Sequence, residues 1–539
     1  MFNLLTHPLI RVAPCGQLTI PGIFAALARD EVDHFPALRP HQGPSWHMFL
    51  VQLGAMALQR SELREIPEDE DTWLNALRRL TPGFGEDEPW QLVVDDWNKP
   101  AFLQSPVPDG VALGNLVLAP DALDLLITAK NHDLKQAIAA RQGQPEDWLF
   151  ALVSLQTGGT YSKAGRNQNY WSTVRTGNIY APRVLVGLAP LASTGAAMAP
   201  RHGSWFRRDL TVLLDTRSRE LERNSFYAEN GIGLTWLAPW PEGEQFQLND
   251  NSPQLDIWFI EVCRRLRLQM NGKGIKANIT GTEKGRINGN NFGGKIGDPW
   301  TPIPKDPEQK ALSLSKKGFH YRILTKILFG ENDIQDWILP VLANPLPSDD
   351  DCQTFLLVAQ GVAAERKKSR TVGFHSRILP LSRGVSRALG PRREALHELA
   401  KVQTETVTVF DRAIGNSLAL AAAQGDREKR KKDHYSFALE AQEYFDRVVD
   451  SIFFEHLWKH LEAQDRGREA LQAERRRWAA VLYNAAKTAF DAALPTIPCA
   501  SIFRLRAQAR ARDAFINTVR HDYPELFDQT EREQSDDAA

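Results

Sequence analysis

Cations, amides and glycines gathered in short polar stretches carry the clearest chemistry in this chain. That chemistry suits a polyanion: Lys and Arg neutralise phosphates, Asn and Gln pair with base edges, and glycine admits close backbone approach. The first stretch, residues 127–135, sets Lys130, Asn131, His132 and Asp133 between two apolar segments. The second, 158–177, carries Lys163, Gly165, Arg166, Asn167, Gln168, Asn169 and Arg175 among Tyr161, Tyr170 and Trp171. In the third, 271–298, Lys273, Lys276, Lys284, Arg286 and Lys295 stand against Glu283 and Asp298. It reads as an exposed, mobile, basic insert, and the basic character continues to Lys316-Lys317. The fourth, 365–375, contains Arg366-Lys367-Lys368-Ser369-Arg370, four cations in five positions. A solvated turn or loop is the competing reading for each, and composition alone leaves the two open.

Catalytic signatures are missing. The sequence has no Gly-rich phosphate loop ending in Gly-Lys-Ser/Thr, no Gly-x-Ser-x-Gly elbow and no His-Glu-x-x-His helix. Asn131-His132-Asp133 has the look of a fragment of a metal-dependent nuclease, but no further histidines lie nearby to complete a ligand cluster. No metal and no cofactor are expected. Cys15, Cys263, Cys352 and Cys499 show no paired spacing, so they read as buried free thiols in a reducing compartment. Lys and Arg total 65 against 66 Asp and Glu, a formal charge of −1, so any nucleic-acid surface must be a local patch. No apolar run reaches the roughly 18 residues a membrane span requires, and a cytoplasmic location is expected.

These residues need elements to hold them. From residue 2 to about 379, short apolar runs alternate with Pro, Gly, Asn and Asp, the pattern of many short strands with a few helices. Val184-Leu185-Val186 and the run 210–214 read as strands. Trp46, Phe49, Leu50, Leu53 and Met56 recur at helical spacing and predict a helix over 45–58. Trp148, Leu149, Leu152 and Leu155 predict another from Pro145, stopped by Gly158-Gly159. Beyond 381, prolines nearly vanish and Ala, Leu, Glu, Arg and Gln dominate, predicting helices over 383–423, 434–461, 467–494 and 501–519. The expected fold class is α+β: a mixed α/β domain over 1–380, a four-helix bundle over 381–525, and a polar tail over 526–539.

Taken in order, several segments resemble the CasA family, the large subunit of the type I-E CRISPR Cascade complex. They are an opening strand at Phe2-Asn3-Leu4-Leu5, Pro100-Ala101-Phe102-Leu103-Gln104, Ala151-Leu152-Val153-Ser154-Leu155-Gln156-Thr157 before the glycine-bearing loop, Gly297-Asp298-Pro299-Trp300-Thr301-Pro302, and Thr371-Val372-Gly373-Phe374-His375. The likeness spans nearly the whole chain. It implies a non-catalytic protein that recognises the protospacer-adjacent motif in double-stranded DNA and helps open the duplex for pairing with the CRISPR RNA. It also implies contact with other Cascade subunits and recruitment of a trans-acting helicase-nuclease.

Carried over by position, Lys130, Asn131, His132 and Asp133 fall on the family's motif-sensing loop, and Gly165, Arg166, Asn167, Gln168 and Asn169 on its glycine-rich minor-groove loop. Here the family's consecutive glycines are largely replaced, so amide side chains are expected to substitute for backbone approach. The wedge falls on Lys367, Lys368 and Ser369, without the family's glutamine, and Lys316-Lys317 is similar to a basic strand pair. Arg504, Arg506, Arg510 and Arg512 offer a basic strip to the displaced strand and neighbouring subunits. Two other readings stay open: a metal-dependent nuclease built around His132 or His375, and a purely structural RNA-binding scaffold. The non-catalytic expectation has a direct check: purified protein with divalent metal should leave labelled DNA intact. Cleavage abolished by His132→Ala would refute it.

Overall fold

The computed structural model describes residues 2–126, 143–163, 168–191, 199–272, 274–330, 337–345, 354–365, 370–382, 389 and 392–527. The chain divides into two compact units, Met1–Phe319 with Asn332–Ser386, and His320–Glu331 with Arg387–Ala539.

In the first unit the helices are α1 (Ile20–Ala28), α2 (Gly43–Arg60), α3 (Glu70–Arg78), α4 (Pro145–Gly158) and α5 (His202–Arg223). The helix expected over 45–58 is α2, and every residue from Pro44 to Leu58 is buried. A helix covered all round must lie at the centre of a core rather than on its surface. The helices α4 and α5 and the strand Leu255–Ile260 pack on it. The run 210–214, expected as a strand, lies in α5 instead. Phe206, Leu210, Leu213 and Arg217 fall on one helical face there, a pattern that a short apolar run cannot disclose by itself. The expected opening strand is reduced to a single bridge, Asn3 to Gln91, followed by a turn.

Seven strands bear on the site: β1 (Asn115–Val117), β2 (Leu185–Pro190), β3 (Leu255–Ile260), β4 (Arg265–Asn271), β5 (Gly274–Thr280), β6 (Thr354–Glu365) and β7 (Arg370–Ser382). One three-stranded sheet runs β4-β5-β1 and another β7-β6-β2, with antiparallel neighbours throughout. The expected exposed basic insert over 271–298 is not what forms. Its first part is β5, paired along its length with β4, and farther on Arg286 and Asp298 are buried.

In the second unit, α6 (Tyr321–Phe329), α7 (Arg393–Ala422), α8 (Leu439–Arg466), α9 (Arg468–Ala493) and α10 (Arg504–Asp522) make the helical bundle. The four long helices agree with the expected α+β class. Phe445, Val449, Phe453 and Leu457 of α8 and Trp478 and Leu482 of α9 are buried at helical spacing. Gln403 of α7 ties them polarly. Its Nε2 donates to Phe453 O (2.7 Å), its Oε1 lies 2.7 Å from His460 Nδ1, and its carbonyl accepts from the Trp478 indole (3.3 Å). The short α6 joins through Tyr321, whose ring stacks on Phe453 at 4.3 Å. Arg506 and Arg510, two of the expected basic strip, donate to the carbonyls of Gln424 and Gly425. Cys263 is a buried thiol, whereas Cys15 is exposed, contrary to expectation.

Short strands leave many buried loop carbonyls without a ladder partner, and a buried acceptor must be satisfied. In the first unit arginines supply the donors. Arg286 donates to Thr235, Ala238 and Pro239 carbonyls, Arg208 to Leu188, Leu342 and Asn344, and Arg267 to Val94 and Lys99. Arg175 and Arg183 are held by Asp298, whose Oδ2 lies 3.4 Å from Arg175 Nη1 and 2.7 Å from Arg183 Nε. Beside them, Glu261 Oε2 accepts from Thr173 Oγ1 (2.5 Å) and Val174 N (2.9 Å). Burial pushes the Glu261 carboxyl up to about 7 from its ordinary 4.5, against the pull of those hydrogen bonds and the two arginines. The folded chain therefore binds this proton more tightly than the unfolded chain, and the stability it contributes is present below pH 4.5 and lost as pH rises to 7. Glu261→Gln keeps an acceptor without the charge. It should match the wild type in urea denaturation at about pH 4 and exceed it by about 3 kcal/mol at pH 8.

Candidate nucleic-acid interface

The hairpin β6–β7 supplies the longest arm. β6 pairs with β2 from Phe355 to Gln360 and with β7 from Thr354 to Glu365, so its last five residues run on with β7 alone. A register shift between Ala363 and Ala364 bends that free end. Lys367, Lys368 and Ser369 belong to the link between these strands and lie outside the described residues. The arm is anchored just short of the link. Thr371, buried, donates its hydroxyl to Leu125 O at 2.7 Å, and Ala364 N donates to Leu314 O at 3.1 Å.

Leu125 is the common point. It stands two residues before 127, so the stretch holding Lys130, Asn131, His132 and Asp133 leaves the described structure from beside the hairpin; those four lie outside the described residues. The C-terminal end of α4 meets it as well, because a Cβ on Gly158 would lie 3.3 Å from Leu125 Cδ1. At Gly159 a Cβ would strike Leu155 O at 2.4 Å and Cys263 Sγ at 2.6 Å, so only glycine lets the chain leave the helix here.

The next segment is clamped at both ends by one side chain. The buried guanidinium of Arg264 donates to the carbonyls of Thr160 and Trp171 and lies 5.1 Å from the Tyr170 ring. Between these ends, Ser162 and Lys163 pair antiparallel with Tyr170 and Asn169. Gly165, Arg166 and Asn167 lie outside the described residues. Gln168 and Asn169 are described, and both spend their side-chain oxygens internally, Gln168 on Thr280 Oγ1 (3.2 Å) and Asn169 on the Tyr161 hydroxyl (2.8 Å). Arg175, grouped with this loop as a donor to ligand, is sealed in the core by Asp298 and the Phe259 ring.

Lys316 and Lys317 are exposed but form a turn rather than a strand pair. Gly318 N closes it on Ser315 O at 2.9 Å. Gly318 has φ +61°, and a Cβ there would lie 2.3 Å from His375 Nδ1, so the turn is seated against the hairpin. His375 itself is lowered from its ordinary pKa by burial. Among the described residues no group of three or more His, Cys, Asp or Glu is placed to hold a metal ion. No helix among them is long and apolar enough to cross a membrane.

Sequence reasoning missed Arg264 and Leu125, and it picked out Thr371 only within the Thr371–His375 segment, not as an anchor. Their types are ordinary, and only long-range contacts mark them. Of the stretches it found, those over 127–135, 158–177 and 365–375 adjoin Leu125 at their described ends, whereas 271–298 is in part paired strand.

A mixed α/β unit with rooted basic loops and a helical bundle unit define an architecture rather than an enzyme class. No family model and no curated protein matches the sequence. Solved structures do match, over nearly the full length. CasA of Thermus thermophilus is 14% identical with a TM-score of 0.60, covering 96% of this chain and 99% of that chain. Cse1 of Acidimicrobium ferrooxidans is 12% identical with a TM-score of 0.63, covering 97% and 99%. A chain of a CRISPR RNA-guided surveillance complex is 13% identical with a TM-score of 0.55, covering 96% and 99%. The chain thus has the CasA/Cse1 fold, as its resemblance implied.

The Thr371 anchor is testable. Thr371→Val removes the hydroxyl and leaves Leu125 O buried without that donor, which should lower stability by about 1–3 kcal/mol in urea denaturation.

Proposed function

We propose that this chain is the large, non-catalytic subunit of a type I-E CRISPR RNA-guided surveillance complex acting in antiviral defence in the cytoplasm. It recognises the protospacer-adjacent motif in double-stranded DNA, helps open the duplex for guide pairing, and recruits a helicase-nuclease. The observation that carries this reading is the common root at Leu125: three stretches chosen for polyanion chemistry leave a CasA/Cse1 fold from one place.

In this scheme Lys130, Asn131, His132 and Asp133 sense the motif and approach the CRISPR RNA. Gly165, Arg166, Asn167, Gln168 and Asn169 face the minor groove, whose donor pattern is degenerate, so several motifs are tolerated. Lys367, Lys368 and Ser369 form the wedge, and Lys316 and Lys317 hold phosphates beside it. Lysine at the wedge intrudes and holds phosphate but pairs less selectively than an amide. Exchange of DNA pairs for guide pairs is nearly balanced in energy, so a few protein contacts tip it. The remaining Cascade subunits supply the guide and the rest of the strand path.

The assembled complex tests this. With Lys367→Ala/Lys368→Ala, assembly should be intact and target opening, followed by a base-unstacking reporter, should slow about tenfold. Unchanged opening in an intact complex would refute the wedge assignment.

A further inference from the structure

Behind the 160–171 segment lies a pocket of about 250 Å³ whose lining has no carboxylate. It includes Trp171, the hydroxyls of Ser172 and Thr176, Gln245, Lys310 and five glycines. Each polar group is either fixed or free in a telling way. The Trp171 indole N–H donates to Thr282 O at 3.0 Å, which holds the ring in place. Ser172 Oγ and Thr176 Oγ1 lie 2.9 Å apart and both reach Thr173 O, at 3.3 and 3.2 Å, so their two protons are spent internally and only acceptor capacity remains. Gln245 donates to Gly285 O at 2.8 Å. Lys310 is exposed and has no hydrogen-bond or ion-pair partner among the described residues.

The glycines let the pocket walls pack closely. A Cβ at Gly177 would fall 2.1 Å from Ala311 O, and one at Gly289 would fall 1.9 Å from Val174 Cγ2, so the pocket walls close up only because these positions lack side chains. A cation without a partner among the described residues and a fixed indole match a phosphate and a planar ring at once.

We propose that this pocket is a subsite for one nucleotide unit of a single strand, with its base against Trp171 and its phosphate at Lys310. The proposal rests on the nucleic-acid reading above and places a contact on the described face of the 160–171 segment. Single-strand binding of this kind is built from stacking platforms and backbone charge, and it tolerates sequence.

The test uses the full chain with a fluorescent 12-nucleotide oligothymidine and, separately, with thymidine monophosphate. Lys310→Ala removes the cation. Gly285→Val fills the pocket, and a Cβ there meets Ile287 O and Trp171 only at 3.6 Å, an ordinary contact that the fold accommodates. Each variant should weaken oligomer binding about tenfold, and Lys310→Ala should lower the salt slope by about one phosphate. A 5-iododeoxyuridine oligomer should photocrosslink to the peptide containing Trp171. Wild-type affinity in both variants, with crosslinks elsewhere, would overturn the pocket and leave the wedge and its complex-level test untouched. Monophosphate binding as tight as the oligomer, without salt dependence, would overturn the strand as the source in favour of a free nucleotide. Failure of the wild type to bind nucleic acid in any form would overturn the pocket and the general reading together.

Discussion

Buried arginine donating to loop carbonyl is the interaction on which the first unit depends. Its strands are short, so the ladders that usually satisfy backbone acceptors are few, and the carbonyls of the connecting segments turn inward. Arg208, Arg264, Arg267 and Arg286 each reach two or more of them. A guanidinium suits this task because its five donors form a rigid fork and it sheds hydration more readily than an ammonium. Burial still tells on the charge: Arg267 is lowered to about 10 and Arg286 to about 9. Aromatic faces offset part of that penalty, as where Arg286 lies 4.4 Å from the Phe246 ring. Asp298 balances Arg175 and Arg183 and keeps its own pKa below the ordinary carboxylate value through them, despite complete burial.

This scaffold decides where cations can serve a ligand. Arginines near the centre of the chain are consumed by the core, so the basic composition of 271–298 and the presence of Arg175 misstate the surface. Lys316 and Lys317, at a turn, are among the cations left exposed. Arg264 shows how the two roles are joined. One buried guanidinium closes the base of the 160–171 segment, so that segment is delivered from a fixed root.

Helices were legible in the sequence because their apolar periods are long: α2, α4 and the four long bundle helices fall close to their expected spans. The run 210–214 was not, since five residues carry too little periodicity to separate a strand from part of a helix. Assignment of α6 to the helical unit was hidden too, because a nine-residue helix in the midst of strand-rich sequence has no local sign that Phe453 is its partner. For the interface, composition picked out the basic stretches but not their burial. Lys316 and Lys317 are exposed as their chemistry requires, while Arg286 is not. Nothing in composition distinguishes a lysine turn from an arginine strut; the aromatic residues around Arg286, Trp240 and Phe246, are the nearest thing to a signal.

The common root at Leu125 also bears on energetics. A loop that orders on binding spends part of its interaction energy on conformational entropy, on the order of 1–2 kcal/mol for each backbone residue fixed. Anchoring both neighbours of a link, as Ala364 and Thr371 anchor the hairpin end, reduces the conformations that must be given up. Under the proposed function this matters more than the number of contacts. Duplex opening against guide pairing is close to neutral, so the difference between a productive and an idle encounter is a few kcal/mol. Two short hydrogen bonds and one buried guanidinium lie in that range, and they act before any nucleic acid arrives. Under that proposal, a core arginine far from solvent contributes to reading a duplex that it never touches.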